Sequence, residues 1–277
     1  MGFRINTNVT SLSAQRSLGV NNSVQQKSLE KLSSGTRIVR SADDAAGLAI
    51  SEKLKAQIRG INQAERNAND GISLVQTAEG GLTEVSNILT RLRELSVQAA
   101  SDTVGDRERS FTDLEYQNLK QEIERISQST EFNGKKLLNG QGEQYDFQIG
   151  INNDDFKDRI KYNTQVTNST VENLGISEIN ISQKEGAQES LAVLDEAIQA
   201  VSGQRAELGA VQNRLTSTIS NLQVNSENLS TANSRIRDTD YASETAQNAK
   251  LNIINAAGTA VLSQANSQGQ QALKLIG

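Results

Sequence analysis

The sequence contains no cysteine, histidine, tryptophan or proline among its 277 residues. Without cysteine there is neither a disulfide nor a thiolate, and without cysteine and histidine the usual zinc ligands and most nucleophile–base pairs are missing. We therefore predict a protein that is not an enzyme and that uses no metal or other cofactor. The absence of proline favours long, uninterrupted helices, because proline breaks a helix interior.

Large apolar side chains are also scarce. Aromatic residues make up 3% of the chain and hydrophobic residues 35%. A globule of this length normally buries more large side chains, whereas the Ala, Leu, Ile and Val found here suit narrow seams between helices. We therefore expect a mainly α fold, an elongated rod of long antiparallel coiled-coil helices with a small β-hairpin.

The charge pattern excludes several further classes of protein. The net charge is -5 with a pI of about 5.1, and a nucleic-acid partner would need a basic face that is missing here. No run approaches the roughly 18 apolar residues of a membrane span. The first residues lack the apolar segment of a secretory signal peptide, so we expect any export to proceed without a cleaved signal peptide.

The strongest pattern is a heptad repeat toward the C-terminal end. Apolar residues recur every seven positions at Leu194, Val201, Leu208, Leu215, Leu222, Leu229 and Ile236. The repeat predicts a helix from about Leu191 to Ile236 that supercoils left-handedly with a partner helix.

A second repeat supplies the partner within the same chain. It comprises Leu54, Ile61, Ala68, Val75, Leu82 and Leu89, and a row of mostly small residues runs beside it at Ala64, Gly71, Ala78, Val85, Leu92 and Ala99. The motif Ser41-x-x-Asp44 reads as a capping box that starts this helix, which we expect over about 42–100. The two repeats, apart from Ala68, form the predicted rod seam.

Shorter elements are expected between the two long helices. A stripe of Tyr116, Leu119, Ile123 and Ile126 predicts a helix over about 107–129, which stops at the turn dipeptide Asn133-Gly134. Alternation at Tyr145, Phe147, Ile149 and Ile151, and again at Phe156, Ile160 and Tyr162, predicts a packed β-hairpin around a turn at 152–155. Within the polar stretch 163–186, we take Ile176, Ile179 and Ile181 as candidate strand positions.

Two acidic clusters are candidates for chemical sites. Asp43 and Asp44 are adjacent and so do not share a helix face, which favours capping over a carboxylate dyad. The segment 152–155 lacks the ligand spacing and the terminal Glu of a calcium loop, which favours a solvated turn.

Both ends of the chain carry moderately apolar faces. The N-terminal face comprises Ile5, Val9, Leu12, Leu29 and Leu32, and the C-terminal face comprises Leu251, Ile254, Val261, Leu262, Leu273 and Ile276. Short isolated helices are marginal in water. We therefore expect these faces to become ordered when several chains bring them together.

Several long motifs, in the same order along the chain, resemble those of bacterial flagellins. They are Ile5–Asn8, Leu29–Ile38, Ser41–Ile50, Thr130–Leu138 and Ser234–Thr245. The resemblance covers about 1–140 and 187–277 and implies a subunit that polymerises into the flagellar filament. The two terminal faces would then be the polymerisation core.

The resemblance also implies a domain order. Segments 1–41 and 237–277 would pair as an inner coiled coil in the filament, and 42–140 with 187–236 would form the rod. The stretch 141–186 is too short for the large, variable outer domain of many relatives, so a short hairpin and loop region takes its place.

Partners follow from the same resemblance. They are an export chaperone at the C-terminal segment, the type III export apparatus, and the filament cap and hook-junction proteins. Animal innate receptors recognise some flagellins through the first long helix, where the matching positions are Arg91 and Leu95, with Glu122 on the next helix. Two alternatives stay open at this point: a hook–filament junction protein and a secreted coiled-coil binding protein.

Overall fold

The computed structural model describes residues 7–141 and 144–276, with side chains up to residue 267. The elements follow in the order α1 (Val9–Ser34), α2 (Ala45–Ala99), α3 (Asp106–Ser129), β1 (Glu131–Phe132), β2 (Lys135–Lys136), β3 (Gln144–Gln148), β4 (Arg159–Asn163), α4 (Lys184–Arg237) and α5 (Tyr241–Ile276). The mainly α fold with a small β-hairpin is confirmed.

The chain divides into two compact units. The first unit contains the described residues up to Ala56 and those from Asn228 onward, and the second unit is Gln57–Glu227. The long helices α2 and α4 each contribute to both units.

The core of the second unit lies along α2 and α4. The heptad residues from Ile61 to Leu89 and from Leu194 to Leu222 are buried, and so is the neighbouring row of mostly small residues from Ala64 to Ala99. Arg93 pairs with Asp195 at 2.6 Å, while Glu65 accepts a hydrogen bond from Gln223 at 2.8 Å. The later residue of α2 thus contacts the earlier residue of α4, and the earlier one contacts the later. The two helices therefore run antiparallel.

The start of α2 differs from the prediction. The helix begins at Ala45, and its cap is Asp44, whose Oδ1 accepts a 2.8 Å hydrogen bond from the backbone N–H of Gly47. The predicted capping residue Ser41 lies in the preceding turn. Asp43 holds that turn instead, because its Oδ2 accepts from the backbone N–H groups of Val39 and Arg40.

The predicted hairpin forms from β3 and β4. Tyr145 lies opposite Tyr162 and Phe147 lies opposite Ile160, which places alternate side chains of both strands toward α2 and α4. Phe156 is an exception, and its predicted place in the packed hairpin was wrong. It lies in the connecting loop with 91% of its surface exposed.

The stretch after β4 packs as irregular chain, and the predicted strand positions there were wrong. Ile176 and Ile181 are fully buried in the core without belonging to a strand. The buried amine of Lys120 in α3 donates to the carbonyl of Ser177 at 2.5 Å and to that of Ile179 at 3.2 Å. This amine satisfies backbone groups that a strand would have paired.

Candidate assembly surfaces

In the first unit, α1 and α5 lie against each other in antiparallel register, and polar side chains set that register. Asn8 donates to the carbonyl of Ala265 at 2.8 Å, and Ser11 donates to Oδ1 of Asn266 at 2.8 Å. Further along, Gln25 accepts a 2.7 Å hydrogen bond from Asn255. Polar contacts of this kind fix the register of paired helices at some cost in stability.

The buried part of this pair is small. Among the described side chains of α1 and α5, those buried are Ser11, Ser28, Leu251 and Ala265. Leu251 is the single large apolar side chain in that set. Leu18 packs over Gly258, where an added Cβ would come within 2.7 Å of the Leu18 side chain. So little apolar burial leaves the pair marginal by itself.

Most of the described members of the predicted polymerisation core point away from the contact between α1 and α5. Five of its members are exposed, namely Val9, Leu12, Leu29, Ile254 and Val261, while Leu32 and Leu262 are half-buried. Ile5 lies outside the described residues, as do the side chains of Leu273 and Ile276. Sequence reasoning missed Val20 and Ile253, which are also exposed and stand on the same two helices.

The junctions at the ends of α1 and α4 bind each other through their backbones. The N–H of Arg37 donates to the carbonyl of Arg237 at 2.6 Å, and the N–H of Thr239 donates to that of Gly35 at 3.1 Å. Gly35 ends α1 in the left-handed conformation with φ of 68°, which glycine adopts without strain. These bonds hold the two junctions of the unit together.

The predicted rod seam is an internal core and not an assembly surface. Its members in the second unit are buried, whereas Leu54, Leu229 and Ile236 in the first unit are half-buried. In the first unit, Ser51 of α2 also donates to Asn233 of α4 at 2.8 Å. Polar contacts thus replace part of the apolar seam there.

The predicted receptor-contact residues separate into two kinds. Leu95 is 2% exposed and packs in the core, so it offers no surface for a partner. Arg91 is exposed and pairs with Glu115 at 2.8 Å, an arrangement that raises the pKa of its guanidinium. Glu122 pairs with Arg125 at 2.6 Å, which lowers the pKa of that carboxyl.

The acidic clusters have structural roles in the part of the chain described here. Both Asp43 and Asp44 accept backbone N–H donors, and the bond from Arg40 lowers the pKa of Asp43. In the hairpin loop, Asp155 pairs with Lys161 at 2.5 Å, and that bond lowers the pKa of Asp155. Within residues 7–141 and 144–276, no cluster of acidic side chains is arranged to hold a metal ion.

Two further apolar patches stand out on the second unit. Phe111 and Leu114 lie on α3, away from its buried stripe, and are 61% and 63% exposed. Ile151 and Phe156 lie in the β3–β4 loop beside two adjoining cavities of about 410 Å³ and about 510 Å³. Neither pair was predicted as a surface, although Phe111 and Leu114 fall outside the stripe that runs through Tyr116.

The family models and the individual proteins that match this chain agree with each other. Residues 5–143 match the model of the bacterial flagellin N-terminal helical region, and residues 191–276 match that of the C-terminal helical region. The chain is 46% identical to a flagellin of Halalkalibacterium halodurans, over 98% of this chain and 99% of that one. It is 44% identical to a flagellin of Bacillus subtilis, over 99% and 100% of the two chains.

Solved structures agree in fold. The crystal structure of Bacillus cereus flagellin aligns with a TM-score of 0.50 at 31% identity, covering 57% of this chain and 88% of that one. A putative flagellar hook-associated protein from Vibrio parahaemolyticus aligns with a TM-score of 0.56 over 71% of this chain and 100% of its own. Its identity of 17% supports likeness of fold alone.

Proposed function

This chain belongs to the bacterial flagellin family, and on that premise we propose that it polymerises by burying the outward faces of α1 and α5 between copies. It is a structural subunit of the extracellular flagellar filament. The full-length likeness to flagellins does not favour a hook–filament junction protein or a secreted binding module.

The exposed apolar residues on α1 and α5 carry the proposal. The contact between these helices buries little beyond Leu251, while Val9, Leu12, Val20, Ile253 and Val261 stay open to water. Burying apolar surface stabilises by about 25 cal/mol per Å². Neighbouring copies that cover these side chains supply the stability that the isolated pair lacks.

Truncation after Ile236 tests this mechanism. It removes α5 and leaves the core of the second unit intact. We expect a soluble monomer that keeps the cooperative unfolding of the α2–α4 core and that sediments as a monomer where the full chain polymerises. A truncated chain that still polymerises would refute burial by the terminal helices.

Membership of the flagellin family also assigns each segment of the chain to a part of the filament. Residues 1–41 and 237–277 form the inner core of the filament, and 42–140 with 187–236 form the surrounding rod. The hairpin and loop region 141–186 then lies at the filament surface. The packing of α1 on α5 and of α2 on α4 supports this assignment.

Export and assembly partners belong to the proposal as well. The chain passes through the type III export apparatus, and a chaperone binds its C-terminal segment before export. Cap and hook-junction proteins bind at the ends of the filament. The exposed apolar side chains of α5 support the need for a chaperone, since they would otherwise associate before export. In the described part of the chain, no helix is long and apolar enough to cross a membrane.

Recognition by a host innate receptor is a narrower proposal. Arg91 and Glu122 supply exposed charges for such a contact, whereas Leu95 is buried. An Arg91→Ala variant that activates receptor-bearing cells as strongly as the parent chain would exclude Arg91 from the contact.

A further inference from the structure

One face of α1 combines apolar and basic side chains in a single row, here called the outer stripe. Its apolar members are Val9, Leu12, Val20 and Val24, and its basic members are Arg16, Lys27 and Lys31. The seven positions follow one another at steps of three or four residues, so they share one side of the helix. The apolar members are 40–62% exposed, and Arg16 and Lys27 are exposed as well. The outer stripe spans roughly 33 Å at about 1.5 Å per residue.

The opposite face of α1 is the one that meets α5. Ser11 and Ser28 are buried on that side, and Leu18 packs over Gly258 of α5. The polar bonds that set the register also lie there, such as the one between Gln25 and α5. The outer stripe therefore stays open to water while α1 keeps its contact with α5.

The cations of the outer stripe are not neutralised by ion pairs. Glu30 is the single acidic residue of α1, and it pairs with Arg40 outside the stripe. Asp43 lies near enough for Lys31 and Lys27 to lower its pKa, yet its carboxylate accepts hydrogen bonds from backbone N–H groups. Within the described residues, none of the three stripe cations forms a salt bridge.

The unit that contains α1 is basic as a whole. Its residues include 12 Lys and Arg against 7 Asp and Glu, although the complete chain has a net charge of -5. Charge at a protein surface acts over a Debye length of about 8–10 Å at moderate salt. The first unit therefore attracts an anionic surface that the chain's overall charge would repel.

An anionic lipid bilayer matches this combination of side chains. In an interfacial helix the apolar side chains lie at the boundary between headgroups and acyl chains, while Lys and Arg extend their charges to the headgroups. A nucleic acid would contact the cations through its phosphates but would leave the four apolar side chains in water. We propose that the unpolymerised chain binds anionic phospholipid bilayers through the outer stripe, with α1 lying in the plane of the surface. This activity goes beyond the proposed function and competes with it, because lipid and neighbouring copies would cover the same side chains.

Vesicle flotation tests the proposal on the full-length chain, kept unpolymerised below its critical concentration. One set of vesicles is an equal mixture of phosphatidylglycerol and phosphatidylcholine, and the other is phosphatidylcholine alone. We expect the chain to float with the anionic vesicles, to stay behind with the neutral ones, and to be released as salt is raised. Equal binding to both vesicles, or no binding to the anionic ones, would overturn the proposal.

The charge of the stripe is removed by combining Arg16→Gln, Lys27→Gln and Lys31→Gln, since glutamine forms helices about as well as lysine and arginine. Each cation near an anionic surface contributes about a factor of five in affinity. We therefore expect the triple variant to bind the anionic vesicles roughly a hundredfold more weakly.

The matched control combines Lys53→Gln, Lys55→Gln and Arg59→Gln, which removes the same charge from exposed positions of α2. It should weaken binding by less than about fivefold, because these residues lie outside the stripe. Equal losses in the two triple variants would show attraction by net charge alone and would overturn the assignment to α1.

The apolar half of the stripe has its own test. Val20→Ser with Val24→Ser should weaken binding roughly tenfold, since both side chains would leave water at the bilayer. A double variant that binds like the parent would indicate a purely electrostatic partner such as a nucleic acid, and would overturn the bilayer proposal. Filaments of the parent chain should not float, and filaments that do float would place lipid binding on another surface.

The proposed function is tested separately. A chain that fails to bind vesicles but forms filaments overturns lipid binding alone. A chain that binds vesicles but never polymerises overturns the proposed function alone.

Discussion

Serine at two exposed positions of α5 should weaken assembly while the core of the second unit stays folded. Ile254 and Val261 are seven residues apart, so they lie on one face of the helix. They are 36% and 59% exposed. Fully burying such a side chain stabilises by about 1.5–3 kcal/mol. Scaled by the exposed fractions, the two side chains together contribute roughly 1.5–3 kcal/mol to each copy added to the filament.

The assay is the critical concentration, measured as the protein left in the supernatant after polymer is pelleted. A loss of that size raises the critical concentration roughly tenfold to a hundredfold, because each 1.4 kcal/mol is about a factor of ten. Circular dichroism should show a folded monomer, since the core of the second unit contains neither side chain.

Val166→Ser is the control, because Val166 is exposed in the second unit and belongs to neither terminal helix. The control variant should have the same critical concentration as the parent chain. If the Ile254→Ser, Val261→Ser chain also polymerises at the parent's critical concentration, burial of the α5 face does not drive assembly.

Three further predictions concern the folded chain. Leu208 is fully buried, so Leu208→Ala should lower the free energy of unfolding in urea by about 2–5 kcal/mol. Asp44→Ala removes the cap of α2 and should cost about 1 kcal/mol in thermal unfolding, whereas Ser41→Ala should change stability by less than about 0.5 kcal/mol; equal effects would contradict the capping by Asp44. The hydrogen bond from Arg93 holds the pKa of Asp195 below its usual range. That stabilisation is present above about pH 4 and is lost as the pH falls through the folded-state pKa, so Asp195→Asn should flatten the fall in Tm below pH 4.

The long helices could be predicted because their core faces repeat. The rows through Leu82 and Leu208 keep one period over many turns, and a period of seven fixes a single helical face. The start of α2 was misplaced by three residues, because Ser41 and Asp44 are both good caps and the choice depends on the turn that Asp43 holds. The loop position of Phe156 depends on a similar local bond, since Oδ1 of Asp154 accepts from its backbone N–H at 3.0 Å.

The terminal helices show where a pattern of apolar residues misleads. In most helices the apolar stripe marks the face that meets the rest of the chain. Here the side chains between α1 and α5 are largely polar or small, such as Asn8, Ser11 and Gln25. The apolar residues Val9 and Val261 therefore remain outside. The sequence could indicate that these faces need partners, but not that the partner within the chain would leave them uncovered.

Electron microscopy of the purified, full-length protein after seeding shows whether this chain forms filaments by itself. We expect long filaments of uniform width, with helical layer lines that come from one repeating subunit. Protein that stays monomeric under every seeding condition, with its helices folded, would contradict assembly through the faces of α1 and α5.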